Sequence, residues 1–89
     1  MDLGLEGKIV VVTGAASGIG AAIAGAFYDE GAITILTDIN SAMLKEVTKN
    51  FEKRAIGKVC DISNKECVNK LFNEIKEDFG TIHVLVNNA

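Results

Sequence analysis

The sequence predicts an α/β protein, one domain over residues 1–89, built on a doubly wound parallel sheet. Three observations lead there. Four short apolar runs rich in Val and Ile recur along the chain: "KIVVVT", "AITILTD", "AIGKVCD" and "TIHVLVNN". The stretches between them place apolar residues at three- and four-residue steps, the period of a helix lying on a core. No proline occurs, so nothing breaks an element from within. Strand–helix–strand repeats force parallel pairing, because each helix carries the chain back to the starting edge. Right-handed crossovers then put helices on both faces.

Each element has its own signal. Lys8 to Thr13 is a β-branched run, the mark of a strand covered on both sides. From Ile19 the period changes, and Ile19, Ile23, Ala26 and Phe27 fall on one helical face, with Gly31 where a helix C-cap belongs. Ala32 to Asp38 returns to strand character. Leu44, Val47 and Phe51 follow at helical spacing, with Asn40 or Ser41 as the cap. The third strand, "AIGKVCD", is weaker. "SNKE", Ser63 to Glu66, fits a capping box. Val68, Leu71, Phe72, Ile75 and Phe79 then form an apolar stripe that Gly80 closes. Val84-Leu85-Val86 reads as a strand buried on both faces, and the chain stops inside its motif.

Composition bounds the function. Hydrophobic residues make up 48% of the 89, enough for a packed core and against disorder. A net charge of −3 with scattered lysines gives no footprint for nucleic acid. Cys60 and Cys67, spaced C-x6-C, fit neither a redox motif nor a zinc knuckle. A strand end and a helix carry them, which weighs against a disulfide and for two reduced, partly buried thiols. One His leaves too few ligands for a metal site. "MDLGLEGK" has no basic start followed by an apolar stretch, and no run is long enough to span a bilayer. A soluble cytoplasmic protein with no membrane partner is expected.

The chemistry lies after the first strand. Gly14-Ala15-Ala16-Ser17-Gly18-Ile19-Gly20 links it to the first helix with the spacing G-x-x-x-G-x-G. Glycines there admit unusual backbone angles and let a ligand approach the main chain. The helix start aims free N–H groups and a positive dipole end at the gap, which suits a diphosphate. A tight turn without a ligand is the plain alternative, but the setting between a buried strand and an amphipathic helix favours binding. A P-loop is excluded, because Ala21 and Ala22 follow Gly20 where Lys and Ser/Thr would stand. Asp38 ends the second strand eighteen residues after Gly20. A carboxylate there accepts both hydroxyl hydrogens of an adenosine ribose and repels a 2′-phosphate.

Together "TGAASGIG", Asp38, "CDI" and "LVNNA" resemble the short-chain dehydrogenases/reductases of the NAD-dependent type. The likeness spans essentially the whole chain and implies a Rossmann-type sheet truncated after its fourth strand. It implies a pyrophosphate turn at Gly14, Gly18 and Gly20, with loop contacts from Ser17 and Ile19. By the same likeness Asp38 selects NAD over NADP, and neither the loop nor Ile39 supplies a cation for a 2′-phosphate. Asp61 and Ile62 match the pair beside the adenine ring, and Asn88 and Ala89 the segment beside the adenosine ribose. Asn87 matches the sheet-stabilising member of the motif.

The family's catalytic Ser and Tyr-x-x-x-Lys unit has no counterpart here. The only Tyr is Tyr28, with Ala32 where the Lys would stand, and it reads as helix packing. His83, often acidic in the family, reads as a surface residue at a strand start. The chain is therefore expected to be an incomplete NAD-binding domain whose whole protein acts on an alcohol or ketone. A non-catalytic nucleotide-binding or interaction module is the alternative. The open sheet edge offers a route to an oligomer.

Overall fold

The computed structural model describes residues 4–88. The elements are β1 (Ile9–Thr13), α1 (Gly18–Asp29), β2 (Ile33–Asp38), α2 (Ser41–Thr48), β3 (Ala55–Val59), α3 (Lys65–Phe79) and β4 (Val84–Asn87). They form one sheet of order β3-β2-β1-β4, with every pairing parallel. The chain steps outward from β1 to β3, then crosses back to place β4 on the other side of β1. That reversal opens a crevice at the carboxyl ends of β1 and β4, where ligands of such sheets bind.

Two apolar layers hold the sheet. Val10, Val12 and Leu36 face α1 and α2, meeting Ala24 and Leu44, with Ile23, Phe27, Val47 and Phe51 packed around them. Ile9, Val11 and Ile35 point the other way onto Leu71 and Ile75 of α3, flanked by Val68, Phe72 and Phe79. Each fully buried aliphatic side chain in these layers contributes about 1.5–3 kcal/mol by leaving water. All five residues of β1 are buried, as a run of β-branched residues requires. Lys58 of β3 and Glu74 of α3 add an ion pair of 3.2 Å across the second layer.

The structure corrects several expectations. In α1 the docked face is Gly20, Ile23, Ala24 and Phe27; Ile19 is 71% exposed and Ala26 faces solvent. The small Gly20 and Ala24 let the helix lie close to the sheet, which an apolar tally weighted by size overlooks. α2 ends at Thr48, before Phe51, which still packs on the core from the turn beyond. Asn64, not Ser63, caps α3, its side chain accepting from the Cys67 N–H at 3.1 Å. Ser63 instead donates its N–H and hydroxyl to Asp61 Oδ1, at 2.9 and 2.7 Å. Cys60 is fully buried rather than partly so, while Cys67 is half-buried; both are free thiols.

β4 is not buried on both faces. Val84 and Val86 turn toward the α1 side, but Leu85 stands beside Val11 on the α3 side and is 51% exposed. α3 packs on residues of β1, β2 and β3, and Leu85 belongs to neither apolar layer.

The remaining singled-out residues serve the framework. The Tyr28 ring packs against Phe51 in a tilted arrangement, centroids 5.1 Å apart, and carries the Arg54 guanidinium 4.1 Å above it. Its hydroxyl accepts from the Glu52 N–H, and Arg54 donates to the Tyr28 and Ala32 carbonyls. This cluster satisfies the carboxyl end of α1, where Gly31 (φ 90°) turns the chain into β2. His83 is exposed, yet its Nδ1 accepts from the Ile9 N–H at 2.9 Å while its own N–H donates to the Ile9 carbonyl. The ring thus extends the β1–β4 ladder by one bond. No helix among the described residues is long and apolar enough to cross a membrane.

Candidate functional site

A cleft of about 240 Å³ opens at the carboxyl ends of the strands, lined by Gly14, Ser17, Asp38, Ile39, Cys60, Asp61, Ile62 and Asn88. Three strand ends and the glycine loop meet there. A groove of about 450 Å³ between α2 and β3 is larger, but it lies on the sheet edge, away from the loop.

The glycine loop is tied on three sides. Ala15 donates its N–H to the Thr37 carbonyl of β2 at 3.1 Å, and Ala16 donates to Asp38 Oδ2 at 3.0 Å. From β4, the Asn88 side-chain amide donates to the Gly14 carbonyl and to Ser17 Oγ, both at 3.2 Å. Beneath it, Thr13 Oγ1 donates to Asn87 Oδ1 at 2.9 Å and accepts from the Asn88 N–H at 3.0 Å. Asn87 and Thr13 therefore lock β4 to β1, and Asn88 carries that lock into the loop.

The three motif glycines do different things. Gly14 has φ 64°, the left-handed region that glycine enters without strain. Gly20 is buried, and a Cβ there would collide with the Gly14 carbonyl oxygen and come within 2.8 Å of Asn88 Nδ2. Gly18 is exposed, and a Cβ on it would meet nothing within 4 Å. Its missing side chain keeps the space in front of the helix start clear.

Ser17 caps α1, its Oγ accepting from the Gly20 N–H at 3.0 Å and donating to the Gly14 carbonyl. The Ala21 N–H goes to the Ser17 carbonyl. The N–H groups of Gly18 and Ile19 have no acceptor in the first helical turn, as geometry dictates at a helix start. Two donors and the positive end of the helix dipole thus face an open space fitted to an anion.

The opposite wall is acidic. Asp38 is half-buried; besides the Ala16 bond, its Oδ1 accepts from the Asn40 N–H at 2.9 Å. A carboxylate has about four lone-pair sites, so each oxygen keeps capacity for a hydroxyl donor. Asp61 Oδ1 is occupied by Ser63, whose hydroxyl first and N–H second hold the Asp61 carboxyl below its ordinary value. Ile62 and Ile39 present exposed apolar surface beside these acids. Cys60 sits at the back, where burial, followed by the neighbouring Cys67 thiol, pushes its pKa up to about 11.

The cleft is therefore polarised. Anion-binding donors lie at α1, and acceptors for hydroxyl or amino groups lie at the ends of β2 and β3, with apolar surface beside the acceptors. Gly14, Ser17, Asp38, Asp61, Ile62 and Asn88 come together in it. Gly18 and Ile19 are not part of its lining but follow Ser17 at the exposed start of α1, and Gly20 is packed against the Gly14 carbonyl and Asn88. Ala89 lies outside the described residues. Sequence reasoning did not place Cys60 in the wall or give the Asn88 side chain its bonds to the loop. The available signals were a thiol directly before Asp61 at a strand end and an amide directly after the sheet-locking Asn87. No group of three His, Cys, Asp or Glu side chains able to hold a metal occurs among the described residues.

Comparison with known proteins agrees with this architecture. The family model for short chain dehydrogenase matches residues 8–89. The chain is 42% identical over 89 residues to an uncharacterised oxidoreductase of Staphylococcus saprophyticus, covering 96% of this chain and 38% of that protein. It is 41% identical over 85 residues to meso-2,3-butanediol dehydrogenase of Serratia marcescens, covering 94% of this chain and 34% of that one. A crystal structure of a short chain dehydrogenase/reductase from Burkholderia phymatum in complex with NAD superposes with TM-score 0.85 at 32% identity. That match covers 91% of this chain and 30% of the other. The chain thus spans about a third of the length of these relatives. With the sheet order, the glycine loop and the family model in agreement over nearly every residue, this chain belongs to the short-chain dehydrogenase family of oxidoreductases.

Proposed function

We propose that this chain is the dinucleotide-holding part of an NAD-dependent dehydrogenase/reductase. When bound, the nicotinamide would supply the hydride acceptor or donor for an alcohol/carbonyl pair. The residues of this chain hold the other end of the molecule. Gly18 and Ile19 offer their N–H groups to the diphosphate, and Ser17 fixes the turn that presents them. Asp38 accepts the ribose hydroxyls, Asp61 the adenine amino group, and Ile62 and Ile39 flank the ring. Asn88 lines the ribose side. The Ser and Tyr-x-x-x-Lys unit that handles the substrate proton in this family has no counterpart in these 89 residues. Tyr28 cannot stand in for it, because its hydroxyl and ring are engaged by Glu52, Phe51 and Arg54. The whole protein's substrate is a small alcohol or ketone, a class to which the Serratia relative's name also points. The outer edge of β4 has no strand beside it among the described residues and offers a route by which another subunit joins the sheet.

The observation that carries this reading is the Asp38 carboxylate, facing the open helix start across one cleft and free to accept two more hydrogens. The test is calorimetric titration of the 89-residue chain with NAD and NADP. NAD binds and NADP binds at least about tenfold more weakly, a difference of about 1.4 kcal/mol. In Asp38→Arg the preference reverses or vanishes. Unchanged selectivity in that variant would remove Asp38 from the ribose.

A further inference from the structure

β3 and β4 are the edge strands of the sheet among the described residues, and β3 has a groove along each of its faces. In a parallel ladder, alternate residues turn both backbone groups toward the same neighbouring strand. On β3 the alternation is fixed at both ends. The Thr34 N–H donates to the Arg54 carbonyl at 2.7 Å, and the Cys60 N–H to the Asp38 carbonyl at 3.0 Å. The Thr37 hydroxyl donates to the Lys58 carbonyl at 2.6 Å, in the same alternation. Arg54, Ile56, Lys58 and Cys60 thus serve β2, while Gly57 and Val59 turn their N–H and C=O groups outward. The Ala55 N–H is taken locally by the Glu52 carbonyl at 3.1 Å, so the outward donors begin at Gly57.

Both outward residues are exposed, Val59 at 56%. On the α2 side they line the groove of about 450 Å³, together with Leu44 and the exposed Lys45 and Lys49. On the α3 side Val59 lines a second groove of about 150 Å³, with Leu71, Lys70 and the Lys58–Glu74 ion pair. Lys49 meets Glu46 at the surface, but Lys45 and Lys70 have no ion partner among the described residues. The chain as a whole carries a net charge of −3, so this flank is a local concentration of cations.

We propose that the outer edge of β3 docks an extended segment of a partner protein, alternating acidic and apolar residues, which joins the sheet as a further strand. Its backbone pairs with the outward groups of Gly57 and Val59, and its side chains supply the selection. Successive side chains of a strand point to opposite faces. Those on the α2 side are carboxylates that meet Lys45 and Lys49. Those on the α3 side are apolar and lie against Leu71, where Lys58 and Glu74 already neutralise each other. Lysines at an edge guard it against indiscriminate pairing, and here they also choose the occupant. A second copy of this chain, joined edge to edge about a two-fold axis, would set this basic flank against itself. An acidic segment meets it with opposite charge.

The test titrates the 89-residue chain with an acetylated, amidated octapeptide of alternating Glu and Val, followed by backbone NMR. Saturable shifts are expected, largest at the Gly57 and Val59 amides. A peptide of alternating Lys and Val should bind at least about tenfold more weakly, as should the Glu peptide to the double variant Lys45→Glu, Lys49→Glu. Val59→Pro removes an outward donor while sparing every bond to β2, as proline does at a sheet edge. It is expected to keep the β1 and β2 resonances and lose the peptide. The Glu peptide N-methylated at every residue repeats that test on the ligand should the proline variant fail to fold. No saturable response, shifts centred on β4, equal binding of the Lys peptide, or undiminished binding after Val59→Pro or N-methylation would overturn the proposal. So would Gly57 and Val59 shifts that follow protein concentration without peptide, which would make a second copy the occupant.

Discussion

Gly18 and Gly20 are two residues apart and answer to different pressures. At Gly20 the Gly14 carbonyl and Asn88 fill the place a side chain would take, so Gly20→Ala is expected to lose about 1–3 kcal/mol, as overpacking does. At Gly18 the space is open, so Gly18→Ala keeps or gains up to about 1 kcal/mol from helix propensity. Urea unfolding checks both. The same two variants titrated with NAD separate folding from binding, because the Gly18 methyl group narrows the helix mouth while leaving the fold intact. Asp61 is a second residue-scale case. Its carboxyl is depressed in the folded state, so its contribution to stability is present above the unfolded value and fades as pH falls through the folded one. Ser63→Ala removes the hydroxyl that is the main cause. The midpoint of Asp61 in a carboxyl-carbon NMR titration then rises toward the ordinary value. An unmoved midpoint would assign the shift to something other than that hydroxyl.

At the scale of elements, the starts of the three helices use one device with different residues. Ser17, Asn40 and Asn64 each place a side-chain oxygen on a first-turn N–H. The Asn64 cap does more than close α3, because it orders the turn that brings Asp61 to the cleft. Asn64→Ala is expected to destabilise the chain by about 1 kcal/mol, within the range for lost caps. Ser63→Ala should cost less, since Ser63 serves Asp61 rather than the helix. Equilibrium denaturation of the two variants compares them directly, and a larger loss in Ser63→Ala would restore the capping box. The carboxyl end of α1 shows how an element recruits distant residues: Arg54, at the start of β3, satisfies two carbonyls around it while lying on Tyr28.

For the molecule as a whole, β3 and β4 are both edge strands among the described residues, and the β4 flank carries the exposed Leu85. Leu85 is half exposed there, and the outer backbone groups of β4 have no strand beside them among the described residues. Such an edge pairs with whatever strand is offered. Leu85→Lys is expected to change stability by no more than about 0.5 kcal/mol, as surface substitutions do. It should also reduce self-association of the 89-residue chain, read by sedimentation velocity across a concentration series. Equal association in both proteins would place any contact elsewhere. The polarity of the cleft is likewise a property of the whole, because its donors come from the start of α1 and its acceptors from the ends of β2 and β3.

Much of this was legible in the order of residues. The four β-branched runs and the helical spacing between them fix the alternation of elements, since periods of two and near four bury different faces. Gly14 and Asp38 were legible as a pair because each stands at a strand end, and parallel strands bring their ends to one side; Asp61 came only from the family resemblance. The rest depended on distance across the fold. Whether Ile19 or Ala24 meets the sheet is decided by how closely the Gly20 face lets α1 approach, which hydrophobicity alone does not rank. Ser63 and Asn64 compete for one cap, and the turn after Asp61 settles which oxygen reaches Cys67. Leu85 is apolar like its neighbours in β4, and only the position of α3 over the other three strands leaves it in water. Local sequence determined which element each residue joins. Tertiary packing decided which side chains meet, because those contacts join residues as far apart as Gly14 and Asn88, which no local period relates.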